Sequence, residues 1–249
     1  RPTIDRQDLE AHKLFEDANK EGKFKVYTSQ YGFQVQMFNH LRNMGFENVN
    51  HLKSLTAFLM AVVVLGLTIT IWRDFSARSA LVFYIVFLIS PWVISFSSNL
   101  YWISFSWFIP LLLTSIFSPK IYKNIRFYYF LLALLFLSFL FKFLSGYEYI
   151  TTIVLASITP IVYHGLKLKK AHRFILVLCS GVFINSLISF VASILIHAKS
   201  LDLIHAKSLD SSSVSGLQII ENIAKNRMFS IDIIDKSLVE MCGIDQGCL

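Results

Sequence analysis

Six apolar stretches, Ser54–Trp72, Ala77–Ser98, Tyr101–Phe117, Phe127–Leu144, Tyr149–Gly165 and Arg173–His197, follow one another with only short polar interruptions. Each is 17 to 25 residues long, and a helix needs about 17–25 residues to cross the hydrocarbon core of a bilayer. Hydrophobic residues make up 55% of the 249 positions, 23 of them phenylalanine, and the mean hydropathy is +0.57. A water-soluble globule of this size has too much boundary to hide so much apolar surface. Lipid is the solvent that suits the chain. A lone segment in lipid must satisfy its own backbone groups, so the stretches are expected to be helices. The short alternating strands of a membrane barrel are missing from the pattern. The expected fold is all-α, a polytopic helical membrane protein with six transmembrane helices in residues 54–197.

Charge in the loops sets an expected orientation. Arg73 and Arg78 flank the first turn, Lys120, Lys123 and Arg126 the third, and Lys167, Lys169, Lys170 and Arg173 the fifth. The alternate turns carry no Lys or Arg at SSNLY and only Lys142 at 142–149. Basic short loops stay cytoplasmic. Residues 1–53 and 198–249 are then both extracytoplasmic. Arg1 opens the sequence with no export signal ahead of the first apolar stretch, so a further span upstream is expected. The net charge of +7 belongs to the basic loops and calls for no nucleic acid.

The chemistry-bearing residues gather on the other side. Asp5, Asp8, Glu10, Glu16 and Asp17 lie in the opening segment, which reads either as an amphipathic helix on the membrane surface or as a segment from which one carboxylate, Asp5 or Asp8, reaches over a cavity as a general base. In VYTSQYGFQVQMF, Gln30, Gln34 and Gln36 alternate with aromatics, and Tyr31-Gly32 marks a turn before a short interfacial helix. Aromatics beside amides suit a sugar and a headgroup boundary equally. The hairpin SPWVISFSSNLYWISFSWFIP holds Asn99 at its tip beside Tyr101 and Trp102, with Pro91 and Pro110 loosening the helices and serines bridging freed carbonyls. In FKFLSGYEYITT, Lys142 either snorkels to lipid phosphates or meets a phosphorylated substrate, and Glu148 either sits in water or orients that substrate. Gly146 is expected to permit the tight reversal there.

The tail repeats itself once, IHAKSLDL followed by IHAKSLD, too briefly for a repeat fold. Beyond it, Lys225 and Arg227 lie on a potential amphipathic helix, and Cys242 and Cys248 are placed to pair if exported. Metal-binding, nucleotide-binding and serine-hydrolase signatures are missing from the sequence.

Taken in order, YTSQYGFQ, SPWVISFSSNLYWISFSWFIP and KFLSGYEYITT resemble bacterial polytopic glycosyltransferases of the GT-C type, over about residues 26–165. The resemblance implies an enzyme of the cytoplasmic membrane, acting on its outer face and moving a sugar from a polyprenyl-phosphate carrier to a surface polysaccharide or other glycan or glycolipid acceptor. It makes Asp5 or Asp8 the base and, in some branches, a carboxylate there helps hold a divalent metal ion. Lys142 with Lys225 or Arg227 would steady the departing phosphate, and Gln30, Asn99, Tyr101, Tyr147 and Glu148 would hold sugar hydroxyls. A lipid-linked oligosaccharide flippase or transporter calls for ionisable groups deep in several spans, which this chain nearly lacks. A polymerase calls for arginine-rich outer loops. A non-catalytic membrane subunit would tolerate loss of every outer carboxylate.

Overall fold

The computed structural model describes residues 31–45 and 48–207, and among them every regular element is a helix. In chain order these are α1 (Phe33–Asn43), α2 (Val49–Asp74), α3 (Ala77–Ile89), α4 (Pro91–Phe96), α5 (Phe105–Ile121), α6 (Arg126–Ser145), α7 (Ile150–Lys167) and α8 (His172–Lys207). The breaks follow local chemistry. Gly32, at φ +66°, turns the chain into α1, as Tyr31-Gly32 leads one to expect. Asn48 caps α2 by accepting from the Asn50 amide at 2.8 Å, and Ser76 caps α3 by accepting from Ser79 at 3.1 Å.

The expected six spans resolve less evenly. Among the described residues, four helices are long and apolar enough to cross a membrane: α2, α6, α7 and the His172–Ser200 part of α8. The second expected span is cut at Ser90, because Pro91 cannot donate a helical hydrogen bond and opens α4 instead. That leaves α3 with 13 residues, about 20 Å at 1.5 Å per residue, short of a core about 30 Å thick. The third expected span begins four residues late, at Phe105, and α5 has 17 residues, about 26 Å. The connection ahead of it is non-helical, and its last part is covered by protein: Ile103 and Ser104 are buried, and the Ser104 hydroxyl returns to the Phe96 carbonyl at 2.9 Å. Irregular backbone among apolar helices needs that cover. At the other extreme, α8 runs ten residues past the expected end at His197, through the first copy of the repeat.

Side-chain ties give the directions of the helices. Along α6 and α8, Tyr128 donates to the Leu178 carbonyl at 2.7 Å, Asn185 to Leu132 at 2.9 Å and Ser189 to Phe136 at 3.3 Å. The partners advance together, so α6 and α8 run parallel. The same logic makes α5 parallel to α7, through Trp107 beside Tyr149 and Tyr122 on the Ile161 carbonyl at 2.7 Å. α5 sits at the centre, against α2, α6 and α7, while α3 packs on α2. Phe139, Phe143, Leu131, Leu135 and Ile161 are fully buried in the core between α5, α6, α7 and α8. Long apolar side chains such as Leu65 and Ile69 on α2 and Ile184 and Ile188 on α8 stay exposed, the faces that lipid covers.

Two small-scale features have measurable consequences. A Cβ on Gly181 would collide with the Tyr128 hydroxyl, so glycine lets that phenol reach the Leu178 carbonyl. Gly181→Ala should therefore destabilise the protein by about 1–3 kcal/mol, and Tyr128→Phe in the same chain should recover part of the loss, read by unfolding in mixed micelles. At the end of α7, the amides of Lys170 and Lys169 return to the carbonyls of Gly165 and Leu166, both at 3.0 Å, closing a Schellman motif whose usual glycine position is filled by Lys169 at φ +50°. Lys169→Gly should stabilise the protein by about 1 kcal/mol in the same assay.

Candidate functional site

At one end of the bundle the start of α5, the turn between α6 and α7 and the 97–104 connection meet. Lys142, in the last turn of α6, is only 1% exposed, so it does not snorkel to lipid phosphates. Its ammonium donates to the Gly146 carbonyl at 2.9 Å, lies 3.9 Å from a Glu148 carboxylate oxygen and stands 5.3 Å from the centre of the Trp107 ring. A buried charge persists only with such company. Gly146 is in extended backbone, at φ 163°, which any residue adopts. Its contribution here is a carbonyl for Lys142, not the conformational freedom expected of it.

Around this ion pair stands a wall of rings. Trp107 packs on Tyr149 at 4.9 Å, on Trp92 at 5.5 Å and on Trp102 at 5.8 Å between centroids. Tyr149 sits at φ +58° and Ile103 at φ +37°, and left-handed backbone is costly for residues with a Cβ, above all a β-branched one. Ile103 lies within the Trp102–Trp107 segment, and the Tyr149 ring packs against both tryptophans. The Trp107 indole nitrogen is buried with no hydrogen-bond partner among the described residues. Glu148, in contrast, keeps 29% of its side chain exposed.

The two sequence candidates in the hairpin both have partners. Asn99 accepts from the Tyr101 and Trp102 amides at 2.9 and 3.0 Å, which pins the hairpin tip. The Tyr101 carbonyl accepts from Gln34 of α1 at 3.4 Å, so α1 docks at this same end. Gln34 is 2% exposed, and its own side-chain oxygen has no partner among the described residues. Tyr147 turns away from Glu148 toward α8: its hydroxyl is 3.4 Å from His197 Nδ1, and burial raises its phenol pKa above the ordinary value. Lys142, Glu148, Asn99 and Tyr101 are thus gathered at one end, with Tyr147 on its α8 side. Asp5, Asp8, Gln30, Lys225 and Arg227 lie outside the described residues.

Sequence reasoning did not reveal that Trp107 covers Lys142 or that His197 meets Tyr147. It also passed over Asp74 at the opposite end. There the Asp74 carboxylate is paired with Arg73 at 2.8 Å and His164 at 3.1 Å, while Tyr163 and Lys167 donate to its main-chain carbonyl at 3.1 and 3.0 Å. The available hint was one acid in an otherwise basic set of loops.

The described residues bring no three His, Cys, Asp or Glu side chains together as metal ligands; Asp5 and Asp8, the carboxylates that the resemblance offers to a divalent ion, lie outside them. No family model, curated protein or solved structure matches the chain.

The burial asymmetry of the ion pair fixes a stability order. Lys142→Met removes the buried charge and leaves Glu148 able to hydrate, and should keep the fold within about 1 kcal/mol of the parent. Glu148→Gln leaves the ammonium buried with less compensation and should cost more, about 1–3 kcal/mol. Unfolding midpoints of the two variants in the same detergent check the order.

Proposed function

We propose that this protein is a membrane glycosyltransferase that takes a sugar from a polyprenyl-phosphate carrier and passes it to a glycan or glycolipid acceptor at the Lys142 end of the bundle, on the extracytoplasmic side of a bacterial cytoplasmic membrane. The observation that carries the reading is the wall formed by Trp92, Trp102, Trp107 and Tyr149 beside a half-buried carboxylate, Glu148. Aromatic faces pack on the apolar C–H faces of a pyranose, and a neighbouring carboxylate accepts from its hydroxyls. Strained backbone at Tyr149 and Ile103 in the same place supports a selected geometry.

Transfer requires a base for the acceptor hydroxyl and cationic groups for the departing phosphate. Asp5 or Asp8 supplies the base in this reading; α1, which follows their segment, is tied to this end by Gln34 and Tyr101. Lys142 holds Glu148 and Trp107 in place rather than touching phosphate, since its ammonium is covered. Lys225 and Arg227 remain the candidates for the phosphate, and Gln30, Asn99, Tyr101 and Tyr147 for polar contacts to the sugar or its support. A non-catalytic membrane subunit is the second reading, favoured by one observation: Lys142 is fully engaged inside the chain.

The decisive assay is sugar transfer from labelled polyprenyl-phosphate hexoses in membranes holding the full-length gene product. Asp5→Asn or Asp8→Asn should reduce transfer by about 100-fold or more at normal abundance. Glu148→Gln should reduce it about tenfold, the loss of one charged hydrogen bond to substrate. Absence of transfer by the unmodified protein across several sugars and acceptors would overturn the enzyme reading in favour of a subunit.

A further inference from the structure

The opposite end of the bundle carries a different surface. Tyr122 links the α5–α6 turn to the start of α8, its ring 6.1 Å from that of Phe174, and its hydroxyl bonds to Ile161 of α7. Two basic loops are therefore held side by side. Lys120, Lys123 and Arg126 stand on one, Lys169, Lys170 and Arg173 on the other, and all six are exposed. Lys167 does not join them, because its ammonium is spent on the Asp74 carbonyl and the Tyr163 hydroxyl.

Nothing among the described residues neutralises the six. Only two carboxylates belong to residues with described side chains: Asp74 is held by Arg73 and His164, and Glu148 lies at the far end of the bundle. The cations alternate with exposed apolar residues, Ile125, Phe127, Leu166, Leu168 and Phe174. Free phosphate or a nucleic acid has no use for that rim, whereas a lipid offers an anionic headgroup and acyl chains within a few ångströms of each other. Lys169 adds a separate observation. It occupies a left-handed position where glycine would be more stable, and its side chain is exposed there.

We propose that the paired loops 120–126 and 169–173 form a binding site for an anionic diacyl phospholipid of the adjacent leaflet, with the cations on its phosphate and the apolar rim on its upper acyl chains. The site depends on the membrane-spanning character of the helices and not on glycosyl transfer. It goes beyond a general bias of basic loops toward one side, because it assigns retention of lipid to particular residues.

The test uses the full-length chain purified in a mild detergent, presented with phosphatidylglycerol or phosphatidylcholine and weighed by native mass spectrometry. The unmodified protein should retain phosphatidylglycerol in clear preference to phosphatidylcholine, and raised salt should abolish the preference. A Lys169→Gly, Lys170→Gln, Arg173→Gln variant should weaken retention of phosphatidylglycerol on the order of a hundredfold. Arg42→Gln with Lys53→Gln, cations away from these loops, should change nothing. Lys169→Gly alone separates binding from folding: its melting temperature should rise while its retention of phosphatidylglycerol falls. Equal retention of the two lipids, an undiminished triple variant, or displacement of the lipid by inorganic phosphate at matched ionic strength would overturn the proposal.

Discussion

Backbone carbonyls in an apolar medium must find donors within the protein, and this bundle is organised by how it supplies them. Pro119 removes the amide that would serve the Ser115 carbonyl one turn earlier in α5. The Arg73 guanidinium, at the end of α2, takes that carbonyl at 2.8 Å while it grips Asp74. Tyr122, Tyr128, Asn185 and Ser189 reach across to carbonyls of neighbouring helices in the same way. Each such bond is individually modest, about 0.6 kcal/mol on average between membrane helices. Their placement fixes which helices run parallel, and therefore which loops share an end.

That constraint separates two kinds of polar residue. At the Lys142 end the charges are few and covered: an ammonium under an indole, a carboxylate half in the open, an amide of α1 tucked against the hairpin. At the Asp74 end the one carboxylate is held by Arg73 and His164, Tyr163 and Lys167 take the main-chain carbonyl of the same residue, and further cations are left exposed. The first arrangement suits recognition of a neutral, hydroxyl-rich group beside aromatic faces. The second suits an anionic surface. Both arise from residues adjacent to helix ends, where a polar side chain can be ordered by the bundle without being sunk in lipid.

The all-helical fold was legible because apolar length and composition carry it directly, and no tertiary contact is needed to read a 26-residue apolar helix such as α2. The breaks were less legible. Pro91 and Pro110 look alike in sequence, yet Pro91 starts a new helix while Pro110 stays inside α5, where Thr114 returns its hydroxyl to the Pro110 carbonyl at 3.0 Å. Lys142 shows the limit most clearly. Its position near a helix end fits both a snorkelling lysine and a buried one, and its contact with Trp107, 35 positions earlier in the chain, is not visible in the local sequence. The Asn99 tip, the Tyr31-Gly32 turn and α1 could be read because each is made by neighbours in sequence. The pairing of Asp74 with His164, 90 positions apart, could not.

The proposed function requires the two polar ends to face opposite sides of one membrane, with the Lys142 end outward. The direct measurement is labelling of single cysteines, Asn99→Cys and Lys170→Cys, in intact cells by a membrane-impermeant maleimide, with Cys179, Cys242 and Cys248 changed to serine. The account predicts that position 99 reacts in intact cells and position 170 only after permeabilisation. Labelling of both from one side, or of position 170 alone in intact cells, would contradict it.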